Sequence, residues 1–501
     1  MNTFEIEILQ DEYWYGGAVF DSTAMPYGRD TEFSTVLLTD NRYNQVNSTL
    51  ISSKGRYAYS DGFDMTVKGG VITLFSPNEV TFGKAGETLK DAYRYVMNTA
   101  FPPDGKLPAK EFFTKAQFND WIALGRWKTQ EQVLEYAEEV VKSGYPYSVY
   151  MIDSEWANHY GALRFDPEKF SNPQEMLAKL KAFGFKVMVW ESPFITADSP
   201  EFRELKEKGL LVKSADGKIA VREWWDGISA LLDMSNPQAV AWLKERNEKL
   251  LAMGVDGFKL DAGDVEYYRD DDITYGNVTA RGQCEAWAKF GLEYPFNELR
   301  AGYNVGGLGI NQRQADKWHR WEKPGLQAIV PEIIGMGLMG YWYTCPDMVG
   351  GGSIGTAGTV DEELFVRYAA ASALMPMIQF SALPWRWLKK ENDEICKKFA
   401  LLHEEFGEYI YGLAQNASKT GEPITRHLAY EYPNEGFERE MTAFMLGDKY
   451  LVAPVLQKGV YQRTVKLPKG KWEYCNGKIY DGGEEITVDA PLDTLPYFKK
   501  I

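Results

Sequence analysis

From about residue 116 to residue 420 the chain alternates two textures, and that alternation limits its fold more than any other feature. Short apolar or β-branched runs are each followed by a stretch of helical periodicity. Residues 120–124 precede a helical stretch at 129–143, 148–153 precede 173–183, and 186–190 precede 200–208. A helical stretch at 236–253 leads into a strand at 254–260, and strand-like runs follow at 301–305, around Arg313, at 340–345 and at 377–380. Roughly eight strand-then-helix units over ~300 residues predict a (β/α)8 barrel with insertions. A doubly wound open sheet is the alternative, and the lack of a GxGxxG after the first strand counts against it.

The flanks read differently. In residues 1–115 short apolar runs are separated by Gly and Asn/Asp clusters, which predicts an N-terminal β-sandwich. Residues 421–501 return to that texture, with runs at 450–456, 463–467 and 485–488, and read as a small C-terminal β-sandwich. The expected class is therefore α/β, with the catalytic barrel at 116–420. A chain of 501 residues exceeds one compact core, in keeping with several domains.

A net charge of −16 argues against nucleic acid or an anionic membrane as partner. Cys284, Cys345, Cys396 and Cys475 are far apart without CxxC spacing, and the four His show no ligand spacing. No metal and no cofactor are expected. The N-terminus lacks a basic and then apolar leader, and no run reaches transmembrane length. The expectation is a reduced, cytoplasmic protein that meets no membrane. A homo-oligomer is compatible with the sequence, although no heptad argues for it.

The segment Gly257-Phe258-Lys259-Leu260-Asp261-Ala262-Gly263-Asp264 reads as a buried strand ending in a carboxylate and a small-residue turn. A barrel presents catalytic acids from such strand tips. An Asp followed by Gly is also a common turn. Other acids fall at comparable places: Asp153, Glu191 next to Trp190, Asp316 and Asp347. One alone reads as a cap or turn residue, but five on successive strands interleaved with Trp point to a pocket. Carboxylates and flat rings, with no metal or phosphate motif, suit a small-molecule sugar, and cleaving a glycosidic bond needs two carboxyl groups.

From about Tyr13 to Phe498 the chain resembles glycoside hydrolase family 31. Phe258-Lys259-Leu260-Asp261-Ala262-Gly263-Asp264 is similar to the family's nucleophile strand. Ala315-Asp316, with Trp321 five residues beyond the Asp, resembles its acid/base segment, although Arg313 replaces the usual Trp and Ala315 the usual Gly. Pro346-Asp347-Met348-Val349-Gly350-Gly351 corresponds to an Asp-Ile-Gly-Gly turn, and residues 447–456 to the start of the C-terminal sandwich. Gln379-Phe380-Ser381 stands where most of the family's α-glucosidases carry Arg-x-His. These departures resemble the branch of the myogenesis-regulating glycosidase and bacterial α-galactosidases. The N-terminal sandwich is shorter than is usual in the family, and no distal C-terminal domain is expected.

The resemblance implies retaining, exo-acting hydrolysis of terminal α-galactosides, with Asp261 as nucleophile and Asp316 as acid/base. The alternatives are α-glucosidase, α-xylosidase or sulfoquinovosidase, a transglycosylase, or a non-catalytic sugar-binding protein. Retaining pairs lie about 5–5.5 Å apart, and the acid's pKa is expected to be raised by burial and by its neighbour's charge. Asp153 matches the family's Asp at the far end of the sugar. Lys259 would hold Asp153 or Asp261, and Arg313 would bind a hydroxyl or tune the acid. Trp14 resembles a segment by which the N-terminal domain reaches the pocket. Trp190, Trp224, Asp347, Gln379 and Trp385 complete the expected pocket, and Asp264 is a turn cap or supports it from behind.

Overall fold

The computed structural model describes residues 1–356 and 358–501. Its centre is a ring of eight parallel strands: β1 (Ala116–Asn119), β2 (Tyr147–Ile152), β3 (Lys186–Glu191), β4 (Gly257–Leu260), β5 (Phe296–Leu299), β6 (Gln312–Arg313), β7 (Thr344–Cys345) and β8 (Gln379–Phe380). The sheet runs β7-β6-β5-β4-β3-β2-β1-β8, and a parallel bridge from Met348 to Gln379 closes it. The helices that cover it are α1 (Gln130–Ser143), α2 (Pro173–Ala182), α3 (Pro237–Met253), α4 (Ala280–Phe290), α5 (Leu326–Leu338), α6 (Glu362–Ser372) and α7 (Lys390–Thr420).

Local sequence explains these elements. In α1 a capping box links Thr129 and Gln132, Gly144 ends the helix in the left-handed region, and Val133, Tyr136, Ala137 and Val140 form the buried stripe. The β4 strand is buried on both faces, as a barrel strand must be. Phe258 packs outward against Tyr294, while Lys259 and Asp261, two apart, share the inner face. Register places Trp190, Lys259 and Glu298 side by side on β3, β4 and β5.

Two expected strands lie elsewhere. The first barrel strand is 116–119, not 120–124. Asn119 Oδ1 accepts the Trp121 N–H at 2.8 Å and turns Trp121–Leu124 into a short helix. The fifth strand is 296–299, not 301–305. Gly302–Tyr303 leaves the barrel and pairs in parallel with Gln45 and Val46 of the N-terminal domain. Among the described residues no helix follows β5, so the N-terminal domain covers that side.

The N-terminal domain contains a four-stranded sheet and four strands of a five-stranded one, whose fifth is Gly302–Tyr303, and the C-terminal domain contains a six-stranded and a two-stranded sheet. Buried side chains run from both flanks into the barrel as one cluster. After β3 an insertion folds into a three-stranded sheet, Phe194–Thr196, Val221–Trp224 and Gly227–Leu231, whose hairpin tip at Trp225 and Asp226 overhangs the strand ends. No helix among the described residues is long and apolar enough to cross a membrane.

Candidate active site

A cavity of about 600 Å³ opens at the C-terminal ends of the strands, where barrels of this kind carry their chemistry. Asp261 projects from the tip of β4. The chain then turns through Ala262 and Gly263, with φ of 55° and 74°. A Cβ on residue 263 would lie 2.3 Å from the Trp287 ring, so glycine is required there. Asp261 Oδ1 accepts from Arg300 Nε at 2.9 Å and from the Ala262 N–H at 2.8 Å, and Oδ2 accepts from the Trp190 indole at 3.0 Å. Burial alone would raise this carboxyl. Arg300, Lys259 and Arg313 outweigh burial and hold it well below the ordinary carboxylate range.

Asp316 lies in the loop after β6, its side chain 67% exposed to the cavity. Arg313 Nη1 donates to Asp316 Oδ1 at 2.8 Å and to Asp347 Oδ1 at 2.6 Å. The second Asp347 oxygen accepts the Lys317 N–H at 2.7 Å, so Asp347 grips the loop just beyond Asp316 from below. Gly351 leaves room for this approach, since a Cβ there would lie 2.9 Å from the Lys317 carbonyl. The expected rise in the Asp316 pKa is not found. Desolvation and the Asp261 charge push it up, but Arg313 and Arg300 prevail and the carboxyl is lowered.

At the tip of β2, Asp153 accepts from Lys259 Nζ at 2.5 Å and from Asn119 Nδ2 at 2.6 Å. Burial works against its ionisation, but Lys259 and Lys128 keep its pKa lowered. Lys259 therefore bonds Asp153 and reaches Asp261 only through its charge. Arg300 also pairs with Asp264 at 2.5 Å, which gives Asp264 its supporting place behind the nucleophile position. Lys259, Arg300 and Arg313, the cations on the cavity wall, are each matched by a carboxylate.

Six of the expected site residues share the cavity: Asp153, Trp190, Lys259, Asp261, Arg313 and Asp316. Five do not. Asp347 is wholly buried beneath Arg313. Gln379 points into the barrel a layer below, with its amide on Glu298 at 2.7 Å. Trp224 turns away and stacks on Phe194 at 4.1 Å, while its neighbour Trp225, in the hairpin turn, takes the cavity side. Trp14 is buried in the N-terminal sheets, with Arg56 5.3 Å from its ring, and Phe20 and Tyr43 supply that domain's reach instead. Trp385 begins a helical turn that swings it outside the barrel, where its indole meets Glu139 at 3.0 Å.

The sequence reading missed Arg300, Tyr267, Trp121 and Trp318, which line the cavity. Arg300 immediately follows β5, so a correctly placed fifth strand would have exposed it. As a whole the site sets an ionised carboxylate opposite an accessible second carboxyl, between aromatic walls. Such a pair can attack an acetal carbon and exchange a proton with the departing oxygen.

Comparison with known proteins agrees with this geometry. Residues 115–413 match the model of the glycosyl hydrolases family 31 TIM-barrel domain, and 421–500 that of the family's C-terminal domain. The mouse myogenesis-regulating glycosidase is 33% identical over 82% of this chain, and α-glucosidase 2 of Bacillus thermoamyloliquefaciens 28% over 75%. The matched stretches span 60% and 51% of those proteins' own length. The solved dextranase of Flavobacterium johnsoniae superposes with a TM-score of 0.85 at 22% identity, over 99% of this chain and 66% of that one, a likeness of fold.

Proposed function

The chain belongs to glycoside hydrolase family 31, and from that premise we propose that it is a retaining, exo-acting α-glycosidase that removes terminal α-galactosyl units. The observation that carries the reading is the contrast between Asp261, locked as a carboxylate by Arg300 and Trp190, and Asp316, exposed in the same cavity on Arg313.

Asp261 attacks the anomeric carbon. Its Oδ2, which accepts only the indole N–H, is the freer oxygen, while Oδ1 keeps two donors. As the new C–O bond forms, the bond to the departing oxygen breaks, and Asp316 supplies that oxygen's proton. Asp316 then takes a proton from water, the hydroxyl adds to the anomeric carbon, and the ester bond to Asp261 breaks. Arg313 and Arg300 by themselves favour the ionised form of Asp316. Its acid role therefore requires that the incoming sugar displace pocket water and desolvate it further.

The galactoside preference rests on the resemblance to the myogenesis-regulating glycosidase branch, of which the Gln379-Phe380-Ser381 segment is a sequence mark and not a sugar contact, since all three residues are buried away from the cavity. A sulfonated sugar is disfavoured because Lys259, Arg300 and Arg313 are already neutralised by carboxylates. The test is nitrophenol release from 4-nitrophenyl α-galactoside, α-glucoside, α-xyloside and α-N-acetylgalactosaminide, with Asp261→Ala alongside. Turnover of the galactoside alone, abolished in the variant, is expected. Turnover of another sugar would overturn the specificity, and undiminished turnover by Asp261→Ala would overturn the mechanism.

A further inference from the structure

Behind the β2–β3 side of the catalytic cavity lies a second one of about 510 Å³. Trp190 and Asp226 line both spaces and so form the partition between them. Asp226, at the overhanging hairpin tip, is fastened from two directions. The Tyr160 hydroxyl donates to its Oδ2 at 2.6 Å, and Arg126 Nη2 lies 2.5 Å from its Oδ1. The same guanidinium meets Glu155 at 2.5 Å, so one side chain from the loop after β1 laces together the loops after β2 and β3. Tyr160 packs edge-on against Trp190 at 5.6 Å and Trp224 at 4.7 Å.

The partition stands where the end of a substrate would fall. In the ring β2 lies opposite β6, and the loop after β6 carries Asp316. The departing group takes its proton from Asp316, so the opposite, non-reducing end of the sugar points at Asp153 and the partition. Beyond it the second cavity is dressed for a sugar. Trp127, 78% exposed, offers a flat face, and the exposed Asn158 amide and the Thr196 hydroxyl, which spends only an acceptor on the Tyr160 N–H, offer hydrogen-bonding groups.

We propose that the Tyr160–Asp226–Arg126 latch is the specificity element that confines the enzyme to terminal sugars. The cavity it closes off accepts a second sugar joined to the non-reducing side once the latch is removed. This rests on the catalytic roles of Asp261 and Asp316 given above, and two substrates separate the two claims. One is 4-nitrophenyl α-galactoside. The other is the same glycoside capped at O4 or O6 with a β-linked sugar, which an α-glycosidase cannot trim first.

Wild-type protein is expected to release nitrophenol from the uncapped glycoside alone. Tyr160→Ala is expected to release it from the capped one too, with the intact disaccharide as product. The capped-to-uncapped ratio of kcat/KM should rise at least about tenfold, and Arg126→Ala, at a half-exposed position, should raise it less. Efficient cleavage of the capped substrate by wild type would overturn the latch. So would an unchanged ratio in variants that still turn over the uncapped one, and Arg126→Ala alone decides this should Tyr160→Ala not fold. Absence of wild-type turnover on the uncapped glycosides would instead strike the functional reading, and the latch with it.

Discussion

Asp261 and Asp316 are the same residue type in one cavity, and their partners suit them to the two different roles proposed above. Asp261 is pinned by Arg300, Trp190 and its own turn, whereas Asp316 keeps most of its surface free. Azide separates the two roles. In Asp261→Ala the small anion can enter where the carboxylate stood, and the expected product is the β-glycosyl azide. In Asp316→Ala the first step survives with a nitrophenolate leaving group, which needs no proton, and azide then opens the Asp261 ester to give the α-glycosyl azide. NMR of the two products checks this, and identical anomers from both variants would refute the assignment. A third carboxyl behaves differently again. Glu191 ends β3 but faces outward, where Asn247 is its one side-chain hydrogen-bond partner among the described residues, at 3.0 Å. Burial raises its pKa from 4.5 to about 8. The unfolded chain loses this proton near pH 4.5 and the folded one near 8, so the group's stabilising contribution is complete below 4.5 and is lost as pH rises to 8. Glu191→Gln removes that slope. Calorimetry from pH 5 to pH 8 should show the variant's Tm gaining on wild type throughout, by the equivalent of about 2–5 kcal/mol at the alkaline end.

At the scale of elements the catalytic geometry depends on short turns at strand tips. In the β4 turn, Gly263→Ala combines a left-handed φ with a Cβ pressed into Trp287. A loss of about 2–3 kcal/mol is expected, with a larger fall in kcat/KM than in Tm would suggest, because Asp261 shifts with its turn. Wild-type Tm and turnover together would show that the turn is not strained. Such tips are also what the sequence makes legible. Asp153 and Asp261 stand at the ends of apolar runs with turn chemistry after them, and both were found by that pattern. Arg300 escaped because the strand before it, Phe296-Asn297-Glu298-Leu299, mixes buried charge and amide with two apolar residues and carries no strand texture. The run 301–305 looked more strand-like, and its central Gly302-Tyr303 is indeed a strand, but of another sheet. Which sheet a strand joins is a long-range choice that local pattern does not record. The tryptophans failed for a related reason. Trp14 and Trp224 bury their rings in two different places and Trp385 half-buries its own in a third, and composition distinguishes none of them from Trp190.

For the whole molecule, the missing helix after β5 makes the N-terminal domain part of the active site's support. Gln45 Nε2 donates to the Arg300 carbonyl at 2.5 Å and to the Arg313 carbonyl at 2.9 Å, and Asn44 Nδ2 reaches the same two at 3.0 Å each. Both are fully buried. These are the backbone positions of the two arginines that set the charge of Asp261 and Asp316, so two amides from a flanking sheet fix the electrostatics of the barrel's chemistry. Removing both amides leaves two buried carbonyls without these donors, at a cost of about 1–3 kcal/mol each. The double variant Asn44→Ala, Gln45→Ala is therefore expected to lower Tm and to reduce kcat/KM by one to two orders of magnitude, although neither side chain lines the cavity. Calorimetry should still show barrel and N-terminal domain unfolding together, since their buried side chains form one cluster. A variant that lost stability while keeping full kcat/KM would mean that the arginines hold their places without the N-terminal domain.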